Sequence, residues 1–292
     1  MTLQVMLVVL GSALLHALWN AMVRSAGDKF SSTVWIVTGA ALWSLPLLVW
    51  VAPPAAPSLP YLLASVLIHG VYFTLVALSY RGSELGVVYP LMRGSAPAFT
   101  ALLGVAWLGE SLSALAAGGV TLVCVGVWAT AWGAWRAQAN AGLPLQRSSW
   151  MLALLNAGVI AIYTLVDGAG VRLAGEALSY TLYLFVGTAL MMGLLQLARM
   201  RWLQPRLQAA PTQPRATAWR LAAWGGAGTL GAYGLVLWAF AQAPVAQVAA
   251  LRESSIVFAL LIGAVFLKER LTPIKWLAAG LIGAGAVLLK LG

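Results

Sequence analysis

Charge is what this chain has least of. Only 8% of its 292 residues are Asp, Glu, Lys or Arg, against roughly a quarter in an ordinary soluble domain. With 62% of residues apolar and a mean hydropathy of +0.90, there is too little polar surface to cover a water-soluble globule, which excludes a cytosolic enzyme. Cysteine occurs once, at Cys124 within an apolar run. A single thiol excludes an internal disulfide and a Cys-based zinc site. Histidine occurs twice, at His16 and His69, too few for a His-based metal centre. No nucleophile–base pairing stands out, so no metal, cofactor or catalytic residue is expected. Asp and Glu number 7 against 17 Lys and Arg, a net charge of +10. In a soluble chain that excess would suggest nucleic acid. Here the basic residues fall in short gaps between apolar runs, as the positive-inside rule expects, and no nucleic-acid partner is predicted.

What is present is length of apolar run. Ten stretches reach the roughly 20 residues that a membrane-spanning helix needs: 3–22, 31–51, 60–80, 86–108, 112–134, 149–171, 177–199, 218–242, 245–267 and 272–290. The runs are continuous and lack period-two alternation, so they read as helices and not barrel strands. The N-terminal stretch has no basic n-region and reads as a retained first span. The polar segments 136–148 and 200–217 carry no core of their own. Of the 17 Lys and Arg, 13 fall in the gaps after spans 1, 3, 5, 7 and 9 or within a few residues of them, two at the other side (Arg172 and Lys290) and two, Arg93 and Arg252, deep inside spans. That bias puts the odd-numbered loops in the cytoplasm and both termini outside, in what is expected to be a bacterial inner membrane. Trp50, Trp107, Trp135, Trp150, Trp202, Trp219 and Trp276 lie near span ends, as an interfacial aromatic belt does.

The chain also repeats itself. Residues 87–113 align without gaps on 246–272, matching Arg93 to Arg252, Ser95 to Ser254, Leu108 to Leu267 and Glu110 to Glu269, each pair 159 residues apart. The same register puts Gly126 on Gly285. Five spans per half is an odd number, so the second half enters the membrane from the opposite side. The predicted fold is an all-α membrane protein of ten transmembrane helices in two five-helix inverted repeats, 1–135 and 149–292, joined by a linker at 136–148. In such architectures the site lies between the halves near the midplane. The two turns LGESLS and LKERLT, each followed by a Gly-rich final helix, together with HALWNAMVR and SYRGSELGVVYPLMRG, resemble the drug/metabolite transporter superfamily, EamA type. The resemblance covers essentially the whole chain. It implies metabolite export and, in most members, cytoplasmic termini; on that last point the charge bias here points the other way.

Arg93 and Arg252 are the sharpest candidates. Each lies seven residues into its span, about 10 Å deep at 1.5 Å per residue. An arginine inside a span costs at least about 2.5–3.5 kcal/mol and by default faces a cavity or a partner. The functional reading is a paired site for a carboxylate or phosphonate, which a guanidinium matches with its fork of donors. The alternative is a structural ion pair with Glu253 or Glu84, or snorkelling to the interface. Glu253, the acidic residue deepest in a span, is read as charge balance, as a partner for Arg93, or as a site of proton coupling. His16 and Asn20, four apart with Trp19 nearby, share one face of the first span and are expected to line the cavity. Tyr72, Tyr163, Tyr233 and Trp238 could present rings to it. Tyr89 precedes Pro90, one turn before Arg93, where a proline permits a kink. His69 reads as a packing histidine. Asp167, with Arg172 following, reads as half of a surface ion pair. Gly226, Gly228 and Gly231 fit G-x-G-x-x-G, yet no strand precedes them, so no dinucleotide site is expected. These glycines, with Gly225, Gly234, Gly118, Gly119, Gly280, Gly283 and Gly285, read as stripes for close helix packing.

The expected function is transport of a small polar, zwitterionic or anionic metabolite, such as an amino acid or aminophosphonate, by alternating access. Its partners are that small molecule, the lipid bilayer and, through Glu253, protons. Spans 1, 3, 4, 6, 8 and 9 are expected to line the cavity. A flippase for a lipid-linked or lysolipid intermediate is the alternative of another kind. An intramembrane enzyme is disfavoured for want of convergent acid, base and nucleophile.

Overall fold

The computed structural model describes residues 1–24, 29–79, 85–140, 147–202, 215–266, 268 and 271–292. Glu84, Glu269 and the side chain of Tyr89 lie outside the described residues. Among those described, every regular element is helical: α1 (Leu3–Arg24), α2 (Lys29–Leu47), α3 (Leu59–Ser79), α4 (Leu85–Leu108), α5 (Ala114–Asn140), α6 (Arg147–Leu173), α7 (Ala177–Trp202), α8 (Arg215–Arg220), α9 (Gly226–Phe240), α10 (Val245–Arg252), α11 (Ser255–Phe266) and α12 (Pro273–Leu291). Nine helical segments among the described residues are long and apolar enough to cross a bilayer, and the chain folds as an all-α membrane protein. A helix satisfies its own backbone polar groups, which is why apolar runs take this form in lipid.

Two of the ten expected spans are not simple helices. The eighth is helical throughout Arg215–Phe240, but a π turn at Leu221–Gly225 separates α8 from α9. The wider turn alters the run of backbone carbonyls, and Trp43 on α2 donates its indole N–H to the carbonyl of Ala223 at 3.0 Å. The ninth span was expected to be continuous over 245–267; instead it breaks between Arg252 and Ser255. The reading from apolar runs passed over the break, although four consecutive polar residues, Arg252, Glu253, Ser254 and Ser255, mark it in the sequence.

The helices form two compact units. One contains the start of α1, the last residues of α3, then α4, α5, most of α6 and α10–α12; the other contains the end of α1, α2, most of α3, the end of α6 and α7–α9. Each unit therefore draws on both halves of the sequence, taking spans 4 and 5 with 9 and 10, or 2 and 3 with 7 and 8. This partition is consistent with a duplication.

Small residues set the closest contacts. A Cβ on Gly119 would sit 2.9 Å from the carbonyl oxygen of Gly285, and one on Gly285 would sit 2.8 Å from that of Gly119. The α5 and α12 backbones thus touch directly, as small-residue interfaces allow in lipid. Gly39 on α2 lies against the Ala222 carbonyl in the π turn. The expected stripes are only partly interfaces: Gly280 and Gly283 face open space. Outward faces are apolar, with Leu190, Leu194 and Leu197 forming one exposed stripe on α7. Trp50, Trp107, Trp219 and Trp276 are exposed near helix ends.

Two turns bear on the repeat. Gly109 adopts φ +64° and Lys268 φ +53°. These positions are also 159 residues apart, so aligned turns share the same left-handed backbone. Glycine adopts it freely, whereas a side-chain-bearing residue pays roughly 1–2 kcal/mol.

Two outcomes follow, both read by thermal unfolding in detergent. Gly39→Ala lowers stability by about 1–3 kcal/mol through overpacking, while Gly283→Ala stays within about 0.5 kcal/mol of the parent. Lys268→Gly raises stability by roughly 1 kcal/mol and Gly109→Ala lowers it by a similar amount.

Candidate functional site

In the first unit α4 is buried on all sides from Met92 to Pro97, and Arg93 lies in the middle of that stretch with 4% exposure. Its guanidinium meets Glu253 at two points: Nε donates to Oε2 at 3.2 Å, and Nη2 makes an ion contact with Oε1 at 2.7 Å. A charge-assisted hydrogen bond of this kind is stronger than one between neutral groups. Taking two charges out of water costs several kcal/mol per ion, and only a close, hydrogen-bonded pairing offsets it.

The break in the ninth span delivers the carboxylate. After α10 the backbone tightens: Glu253 N–H bonds the Ala250 carbonyl and Ser254 N–H the Leu251 carbonyl, both at 3.0 Å. Ile256 N–H then reaches back to the Glu253 carbonyl before α11 continues. The Ser254–Ser255 pair explains why the chain yields here, since serine competes for backbone hydrogen bonds and weakens helix interiors. Glu253, Ser254 and Ser255 are all buried, and Arg252 is half-buried. Irregular backbone at membrane depth is tolerated where protein surrounds it or a cavity is lined.

Two further polar groups in this unit were missed in the sequence. Asn156 on α6 is fully buried, with its Nδ2 on the Met92 sulfur at 2.8 Å. Its Oδ1, and Oε1 of the buried Gln247 on α10, have no hydrogen-bond partner among the described residues. The available signal was an amide inside an apolar run, the same logic that singled out Asn20.

Glu110 supplies the start of α10. Gly109 turns the chain, and the Glu110 carboxylate accepts from the N–H groups of Val245 at 2.9 Å and Ala246 at 3.5 Å. Pro244, at the N-cap, offers no side-chain bond. A carboxylate from another loop therefore caps the half-helix that ends at Arg252, where it also favours the helix dipole.

The second unit holds a different cluster. Asp167 was expected in a surface ion pair with Arg172; it is instead fully buried. Tyr180 donates to its Oδ1 at 3.0 Å and Tyr233 to its Oδ2 at 2.5 Å. Arg172 sends its Nε to the Phe240 carbonyl at 3.0 Å. Five residues on a helix turn a side chain by roughly 140°, so the two do not share a face. Gly170, three residues after Asp167, makes room for Tyr180, whose hydroxyl would lie 2.6 Å from a Cβ there. The Ser65 hydroxyl lies 3.1 Å from Nδ1 of His69. His69, buried one turn later, packs edge-on against Tyr233 at 6.0 Å and Tyr72 at 6.4 Å.

The expected lining residues fall in both units. Arg93, Arg252, Glu253 and the buried Tyr163 belong to the first; His16, Trp19, Asn20, Tyr72, Tyr233 and Trp238 belong to the second. His16 is buried edge-on to Trp19 at 5.1 Å, and Asn20 donates to the His16 carbonyl at 2.9 Å within its own helix. Trp19 packs against Ile36 and Leu221. Trp238 is half-buried on α9.

Replacing Arg93 with Met leaves the Glu253 carboxylate stranded and lowers stability by about 3–5 kcal/mol. Adding Glu253→Gln restores most of that loss. Thermal unfolding of the four proteins of this double-mutant cycle reads the coupling.

Residues 147–291 match the model of the EamA-like transporter family. No curated protein matches the chain. A solved structure described as "Crystal structure of protein" superposes with a TM-score of 0.73, covering 100% of this chain and 98% of its own at 15% identity, which shows a shared fold. The family and the helical membrane fold point to a transporter rather than an enzyme. With that match the chain is recognised as an EamA-type member of the drug/metabolite transporter superfamily.

Proposed function

We propose that the protein is a secondary transporter, working as an exporter by alternating access, for a small zwitterionic or anionic metabolite of the amino acid or aminophosphonate kind. The observation that carries this reading is the buried pairing of Arg93 with Glu253 at a break in a membrane span. Such a pair is expensive to bury and easily outperformed in stability by apolar side chains, so a binding role accounts for it better than packing does. Arg93 and Arg252 contact the anionic group of the cargo. Glu253 balances their charge until the cargo arrives and its carboxylate is replaced or shared. The acceptors Asn156 Oδ1 and Gln247 Oε1 suit an ammonium donor, which favours a zwitterion over a simple anion. His16, Trp19, Asn20, Tyr72, Tyr89, Tyr163, Tyr233 and Trp238 shape the path. The two halves are inverted repeats, and the Lys/Arg bias supports a bacterial inner membrane with odd-numbered loops cytoplasmic and the termini outside.

Purified protein screened by thermal shift against amino acids and aminophosphonates tests this. A ligand at about 100 times its Kd stabilises by about 2.7 kcal/mol, a rise of roughly 5–10 °C. The rise is expected to vanish in Arg252→Ala and in the folded double variant Arg93→Met, Glu253→Gln. A hit whose shift persists in both overturns the anion site.

A further inference from the structure

The two buried carboxylates among the described residues are held by different chemistry. Glu253 is held by a guanidinium, so a proton arriving there removes the charge that Arg93 pairs with. Around Asp167 the groups are hydroxyls and one imidazole: Tyr180 from α7, Tyr233 from α9, and Ser65 and His69 from α3, with Tyr72 behind the ring. On its own helix Arg172 turns to the Phe240 carbonyl. A hydroxyl both donates and accepts. The cradle can therefore donate to the ionised carboxylate and, after rotation of one O–H, accept from the protonated acid. His69 adds a second exchangeable position. Its Nδ1 lies 2.9 Å from the Ser65 carbonyl and 3.1 Å from the Ser65 hydroxyl, and an imidazole gains or loses its proton near neutral pH.

From this geometry we propose that Asp167 is a proton-binding site, separate from the Arg93–Glu253 pair. Binding is a single step: a proton adds to one carboxylate oxygen, the carboxylic acid forms, and the hydroxyl facing that oxygen turns from donor to acceptor. No group of three or more His, Cys, Asp or Glu that could hold a metal ion occurs among the described residues; a hard cation on the oxygens of the cluster is the competing occupant. The proposal extends the transport reading by moving the coupling proton from Glu253 to Asp167, but its test needs no substrate.

Infrared difference spectra of the protein in lipid vesicles, taken between mildly acid and mildly alkaline pH in choline buffer, report the carbonyl stretch of a protonated carboxylic acid. The expected band appears on acidification and shifts when the chain carries carbon-13 aspartate. Of the two aspartates, Asp28 and Asp167, the band is lost in Asp167→Asn and kept in Asp28→Asn. It is also kept in Glu253→Gln. Isotope labelling reads the native chain, so the result stands even where Asp167→Asn does not fold. A band insensitive to aspartate labelling, one removed by Asp28→Asn, one abolished by added sodium, or no pH-dependent band at all overturns the proposal. Absence of any ligand-induced thermal shift would reject the anion site and leave this band as it is.

Discussion

Hydrocarbon supplies no hydrogen bonds, and most of the structure follows from that one constraint. A guanidinium at membrane depth must find its acceptor inside the protein, and Arg93 finds it in both oxygens of Glu253. Meeting that need dictates backbone as well as side chains. A carboxylate on a regular helix in mid-span would point where the helix points it. Here the tightened turns at Glu253 and Ser254 set its position, and the cost of the broken ladder falls where serine already weakens helix. The two departures are one solution: the helix breaks and the ion pair closes at the same residue.

The same constraint acts at helix ends. A half-helix beginning at Val245 exposes N–H groups that neither lipid nor Pro244 can satisfy, and Glu110 reaches them from the α4–α5 turn. This gives a physical reading of the LGES sequence. The glycine permits the left-handed φ, and the glutamate that follows becomes a cap on a helix far away in sequence. The turn thereby fixes the start of the segment whose other end presents Arg252 and Glu253. At Lys268 the second half uses the same backbone state with a costlier residue, so the shape of the turn persists where the favourable side chain has not.

What could be read from the sequence was whatever repeats or runs. Ten apolar stretches and the all-helical class depend on local composition and showed plainly. The break at Glu253 and the π turn at Leu221–Gly225 depend on long-range demands, a distant arginine in one case and the close approach of Gly39 in the other. No periodicity encodes either. Asp167 is instructive because a local rule was available: residues five apart do not share a helix face, so Arg172 was a poor partner from the outset. Its real partners, Tyr180 and Tyr233, stand 13 and 66 residues away, beyond the reach of any motif. Asn156 and Gln247 were visible as amides in apolar runs, but an amide announces only that it needs a partner.

Partner chemistry then separates two centres that composition would have treated alike. Both Glu253 and Asp167 are acids buried in membrane helices. One answers to a fixed cation, so its charge belongs to a pair. The other answers to hydroxyls that serve either protonation state, so its charge can change without stranding a neighbour. A transporter must bind cargo and take free energy from somewhere, and a single carboxylate asked to do both would lose its hold on arginine whenever it took up a proton. On the reading proposed above, placing the guanidinium-held acid in one compact unit and the hydroxyl-held acid in the other removes that conflict, because Arg93 donates to the first acid and Tyr180 and Tyr233 donate to the second.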